Sequence, residues 1–235
     1  MTIPMTDEPP HRQGAFFGRR KGHPLRAHQA ELFDTLLPRL AVDLITPAHD
    51  LAALFPSPID DIRLEIGFGG AEHLIAQALG DPRVGFIGCE PFVNGMAKAL
   101  AAIDAREIGN IRLHHADAVD LLDWLPQNSI GRIDLLYPDP WPKRRHWKRR
   151  FVNDDNIARL ARALRAGGEF RFATDWANYA EWTLARLVRS QDFTWTAERA
   201  DDWRKPWPEF TQTRYEAKAI REGRVPCYLR FRKIG

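Results

Sequence analysis

From Ile62 on, the chain switches repeatedly between two hydrophobic periods. Ile62 to Ile66, Val84 to Cys89, Ile111 to His115, Ile133 to Tyr137 and Glu169 to Ala173 are short apolar runs that predict strands. Helical spacing marks Ala71 to Leu79, the alanine-rich Phe92 to Arg106, Val119 to Trp124, and Asn156 to Leu164, which stops before Gly167-Gly168. Tyr179 to Val188 predicts another helix, and Phe193 to Thr196 and Pro226 to Phe231 two more strands. Strands that alternate with helices form parallel βαβ units. The expectation is an α/β fold: an open, mostly parallel seven-stranded sheet with helices on both faces. At 235 residues the chain suits one domain, expected over 23–235. Residues 1–22, rich in Pro, Gly and Arg, are expected to form a flexible basic arm.

Composition narrows the class of protein. The net charge is only +3, so positive charge is a local footprint rather than a general property. The two cysteines, Cys89 and Cys227, fit no metal-ligand spacing and read as reduced thiols, and no metal is expected. No apolar run is long enough to span a bilayer, and Met1 to Pro10 does not read as a secretory signal. A cytoplasmic protein without membrane contact is expected.

In open α/β sheets ligands bind beyond the carboxyl ends of the strands, where strand order reverses. The first strand ends in Glu65-Ile66-Gly67-Phe68-Gly69-Gly70, and Gly67 and Gly69 let the backbone turn tightly against a ligand. The second ends at Glu90, placed to accept two hydrogen bonds from a ribose diol, and Asp117 after the third can meet an adenine edge. A dinucleotide site would share this outline. However, the glycines read G-x-G-G, with Glu72 where a third glycine would stand, and Glu65 would sit poorly beside a pyrophosphate. A cationic, phosphate-free cofactor such as S-adenosylmethionine fits better. The competing reading of Glu65 is a strand-end acid that caps a nearby amide.

The fourth strand runs into Pro138-Asp139-Pro140-Trp141-Pro142-Lys143-Arg144-Arg145-His146-Trp147-Lys148-Arg149-Arg150. Prolines stiffen a turn around one carboxylate, and a run of basic and aromatic residues follows. Such a run is either a solvated loop or a surface for nucleic-acid phosphate.

With Phe17-Gly18-Arg19-Arg20, Thr174-Asp175 and Thr213-Arg214-Tyr215-Glu216, these segments resemble the bacterial tRNA (guanine-N7)-methyltransferases over nearly the whole chain. That family modifies the guanine at nucleotide 46 in the variable loop. The resemblance implies a Rossmann-like class I S-adenosylmethionine-dependent methyltransferase with tRNA as partner. It carries cofactor contact to Glu65, Glu90, Asp117 and Asp139, with Asp139 also catalytic. It carries substrate contact to Lys143, Asp175, Thr213, Arg214, Tyr215 and Glu216, and RNA contact to Arg144, Arg145, Lys148, Arg149 and Arg150. Tyr137 stands where the family more often has Phe, and His115 where it often has Asn. No obligatory protein partner is expected, and the chain is expected to be a monomer or homodimer.

The chemistry agrees with these residue types. Guanine N7 has a free lone pair, so alignment and charge stabilisation suffice and no general base is required. Asp175 and Glu216 can accept from guanine N1–H and N2–H₂, although Asp175 also reads as a helix N-cap. Trp141 reads as packed against its own loop, and Trp147 is open between packing and base stacking. An NAD-dependent oxidoreductase or a small-molecule methyltransferase would leave the basic segment without a purpose. A non-catalytic RNA-binding protein would be expected to have lost one of the four acids.

Overall fold

The structure is a computed structural model that describes residues 18, 20–47 and 50–235. Before the sheet come α1 (Ala27–Thr35) and α2 (Leu37–Leu40). The βα alternation runs β1 (Asp61–Ile66), α3 (Glu72–Gly80), β2 (Val84–Cys89), α4 (Val93–Ala105), β3 (Ile111–His114), α5 (Ala118–Trp124) and β4 (Ile130–Leu136). After β4 follow α6 (Asp154–Ala163), β5 (Leu164–Thr174), α7 (Ala177–Leu187), β6 (Phe193–Trp195), α8 (Asp201–Arg204), α9 (Arg214–Arg221) and β7 (Cys227–Lys233).

The seven strands form one sheet in the order β3-β2-β1-β4-β5-β7-β6. The first five pair in parallel, and β7 runs antiparallel between β5 and β6. Strand order reverses between β1 and β4, which opens a crevice at their carboxyl ends. The centre is buried on both faces. Val84 and Phe86 of β2 enter one apolar cluster and Ile87 and Cys89 the other, the alternation of a strand covered on each side.

Three local features differ from the sequence expectation. Gly167 and Gly168 lie inside β5 rather than in a loop, and position 168 needs glycine there, since a Cβ would press on the Gly131 carbonyl at 3.0 Å. The pairing with β4 is irregular at that point, between Ile130 and Arg132. The short α1 and α2 carry weak periodicity, yet Leu32 and Leu40 are buried against the cluster that includes α4 and β3. The last residues of the expected arm are tied down: Arg20 O accepts from Val93 N at 3.0 Å, and Gly22 N donates to Asn94 Oδ1 at 2.8 Å. Residues 1–17 and Arg19, where most of that arm falls, lie outside the described residues.

No helix among the described residues is long and apolar enough to cross a membrane.

Candidate active site

The glycine loop after β1 is held by its neighbours rather than by packing of its own. Gly67 has φ +70° and donates to Cys89 O at 2.8 Å, and Gly69 has φ +55°. Both conformations favour glycine. Behind the loop, a Cβ on Gly95 of α4 would lie 2.3 Å from Gly69 O, so helix and loop touch backbone to backbone.

Glu90 follows β2 and is buried. Its Oε2 accepts from Gly69 N at 2.7 Å and its Oε1 from Phe92 N at 2.9 Å. A carboxylate has about four acceptor sites, so two remain after these bonds. Burial raises the Glu90 pKa despite the two amides. Asp117 caps α5 by accepting from Val119 N at 3.0 Å.

Beyond β4 the backbone is strained around one acid. Tyr137 and Trp141 adopt φ +51° and +44°, conformations that cost side-chain-bearing residues on the order of 1–3 kcal/mol each. Asp139 lies between them. Its side chain is open to the crevice, but the protein around it displaces enough water to raise its pKa. Gly67, Gly69, Glu90, Asp117, Asp139 and Tyr215 share the wall of one cavity of about 650 Å³ at the topological switch.

The basic run folds as a 3-10 segment, Arg144–Arg149, at the cavity rim. Lys143, Arg144, Arg145 and Lys148 are exposed. Arg149 is half-buried, with its guanidinium 5.0 Å from the Trp141 ring centre. Trp147 lies edge-on to Trp182. Arg150 departs from the sequence expectation, being only 1% exposed. It donates to Pro140 O at 2.9 Å and to Asn178 Oδ1 at 2.7 Å, and it lies against the Trp147, Tyr179 and Trp182 rings. A guanidinium engaged on every side in this way is a strut, not a phosphate ligand.

Other expected residues also have partners within the fold. Glu65 is buried 2.9 Å from His73 Nδ1 and does not line the cavity. Strand parity explains this placement: Leu64 and Ile66 enter one core, so Glu65 points to the opposite face. There it is in register with Asp134 of β4, which pairs with Arg132 at 2.8 Å. Burial alone would lower the His73 pKa, but Glu65, joined by Asp134, raises it.

Glu216 is 3% exposed and its carboxylate accepts from the Tyr228 hydroxyl. Thr213 is buried and caps α9 through Glu216 N at 3.2 Å. Neither is free to contact a substrate in this arrangement. Arg214 donates to Glu72 Oε1 at 2.7 Å, across Gly70. Tyr215, 44% exposed, covers Gly69, where a Cβ would meet its ring at 2.7 Å. Asp175 is paired with Arg224 and does not cap α7; Trp176 stands at that N-cap without a side-chain bond.

The strained Tyr137 and the cavity-lining Phe92 and Asn153 carry no motif, and the sequence reading did not single them out as ligand-binding. Among the described residues, no group of three or more His, Cys, Asp or Glu could hold a metal ion.

Residues 60–228 match a family model described as a putative methyltransferase. A tRNA (guanine-N(7)-)-methyltransferase of Rhodopseudomonas palustris (strain BisB5) is 63% identical, with 97% of this chain and 90% of that protein covered. The protein of the same name from Bradyrhizobium diazoefficiens is 62% identical, with 93% of each covered. Among solved structures, an rRNA methylase from Streptococcus thermophilus has a TM-score of 0.52 at 13% identity, covering 79% of this chain and 92% of that one. An antibiotic-related methyltransferase has a TM-score of 0.50 at 19% identity, covering 75% and 89%. At these identities, structural likeness speaks for the fold alone.

Proposed function

Because the chain belongs to the tRNA (guanine-N(7)-)-methyltransferase family, we propose that it transfers a methyl group from S-adenosylmethionine to N7 of a tRNA guanine, that of nucleotide 46 in the variable loop. The observation that carries this reading is the shared wall of one cavity: Glu90, Asp117 and Asp139 beside a glycine loop, with a cationic segment at the rim.

The cavity fits S-adenosylmethionine on its own chemistry. Glu90 is oriented by two backbone amides and keeps acceptor sites for a ribose diol. Gly67 and Gly69 present backbone with no Cβ between it and a ligand. Asp117 stands at the α5 end of the same wall, where an adenine edge can meet it. Bound there, S-adenosylmethionine supplies an electrophilic methyl group on a sulfonium.

The protein's own work is placement and charge. Asp139 sets a fixed negative charge beside the path along which positive charge moves toward the purine. The strained conformations on either side of it persist only because the surrounding fold holds them, so that charge is placed before the reaction begins. N7 is already a nucleophile, so no residue needs to remove a proton. Base selection falls to Asp175 rather than Glu216. Glu216 is buried against Tyr228, whereas the Asp175 side chain, though paired with Arg224, is 11% exposed. Lys143, Arg144, Arg145 and Lys148 draw in the phosphate backbone, with Arg149 behind them on Trp141. Arg150 supports that surface from below.

Incubating the protein with unmodified tRNA and methyl-labelled S-adenosylmethionine, then mapping N7-methylguanine by chemical strand scission, tests the reading. Label at a guanine of the variable loop is the expected result. Transfer to another atom or another RNA would overturn it.

A further inference from the structure

We propose that Trp176 is a stacking platform for an unpaired tRNA base at the end of the sheet that holds the methyl-transfer cavity, an inference that rests on tRNA being the substrate. β5 ends at Thr174, and Trp176 stands at the start of α7. The Tyr137 amide donates to Ala173 O at 2.7 Å, so these two strand ends are adjacent. Asp139 lies two residues beyond one and Trp176 three beyond the other, at the same end of the sheet.

Seven of the eight tryptophans are buried or half-buried. Trp141 meets His146 and Arg149, Trp147 meets Trp182 and Arg150, and Trp207 meets Phe210 and Tyr228. Trp176 is 38% exposed, and among the described residues its ring has no aromatic, cationic or hydrogen-bonding partner.

Its backbone, in contrast, is fixed. Its N–H donates to Thr174 Oγ1 at 3.3 Å, and its carbonyl accepts from Tyr179 N at 2.8 Å and Ala180 N at 3.0 Å. Arg224 holds the neighbouring Asp175.

The helix gains no cap from an indole at this position. An N-cap favours Ser, Thr, Asp or Asn, and this helix has no side-chain cap at all. More than a third of a large apolar side chain is left in water where a short polar one would stabilise the helix. A local rule broken with no aromatic, cationic or hydrogen-bonding partner gained for the ring points to use by a ligand. The ligand that suits a part-exposed ring on a fixed backbone, with no other ring against it, is one with a flat π-face, and an unstacked base has two. The exposed cations of 143–148 bring nucleic acid to this end of the sheet.

The test compares wild type, W176A and W176F with unmodified tRNA. W176A is expected to raise the KM for tRNA roughly five- to a hundredfold, with kcat at saturation and affinity for S-adenosylmethionine unchanged. W176F, which keeps a ring, is expected to recover most of the loss. Part of the indole fluorescence of wild type is expected to be quenched by tRNA, and that part is absent in W176F. A wild-type KM in W176A overturns the proposal. So does a parallel loss of cofactor affinity or thermal stability, which would mark a purely structural role. A wild type that does not methylate tRNA would instead overturn the reading on which the proposal rests.

Discussion

Protein around Asp139 raises its pKa above the ordinary 3.8, so its carboxylate takes up a proton sooner as the solution is acidified. The negative charge beside the methyl path is then lost, and kcat at saturating cofactor is expected to fall with pH. D139N carries no charge at any pH. It is expected to lower kcat on the order of a hundredfold and to lose that acid limb, while still binding S-adenosylmethionine. Equilibrium dialysis and pH–rate profiles check both parts. His73 gives a prediction of the opposite sign. Its folded pKa is raised above 6.5 by Glu65 and Asp134 against the pull of burial. The pair therefore stabilises the fold fully below the unfolded value, and that contribution disappears as pH rises through the raised folded value. The difference in unfolding free energy between wild type and H73N is expected to shrink as pH climbs, as measured by urea titration at a series of pH values.

Between elements, contact is often backbone to backbone, which leaves no slack. G95A puts a methyl group against the Gly69 carbonyl and must push α4 off the glycine loop. It is expected to cost about 1–3 kcal/mol of stability and to weaken cofactor binding more than tRNA binding. Calorimetry with each ligand separates the two effects. The 3-10 segment divides in the same way between surface and support. Replacing Arg144, Arg145 and Lys148 together is expected to weaken tRNA binding and flatten its dependence on salt, without changing thermal stability. R150A is expected to lower thermal stability, because it removes the guanidinium between Trp147, Tyr179 and Trp182. Binding measured over a range of salt, alongside melting curves, tells the two classes apart. A loop that weakens binding only by unfolding would leave the salt slope intact.

Across the whole molecule, what could be read from the sequence was what depends on short-range pattern. All seven strands were visible because buried strands are dense in β-favouring residues, and the alternation with helices fixed their mostly parallel arrangement. Gly67, Gly69, Glu90, Asp117 and Asp139 could be placed at one site because an open α/β sheet gathers its strand ends. The partners of Glu65, Arg150 and Glu216 could not be read. Each is decided by a residue on another element that only the tertiary fold brings into contact: His73 from α3, Tyr179 and Trp182 from α7, Tyr228 from β7. A charged side chain looks the same in sequence whether it faces solvent or a buried partner. The helices α8 and α9 were missed for a similar reason. Both are short and polar, and α9 is held by the Thr213 cap and the Arg214–Glu72 pair rather than by a long apolar stripe.

The late strand β7 lies between β5 and β6, and the segment just before it carries Tyr215 over Gly69. During synthesis, then, β1 to β5 emerge with the glycine loop and the three acids Glu90, Asp117 and Asp139, yet the pocket lacks one wall and β5 has an open edge. Until β7 inserts, the nascent chain has a strand edge able to pair with another chain. Completion of the catalytic cavity and protection from misassembly therefore come at the same moment, when the last strand reaches its slot. Ribosome stalling shortly before Cys227 would leave a chain both inactive and prone to aggregate.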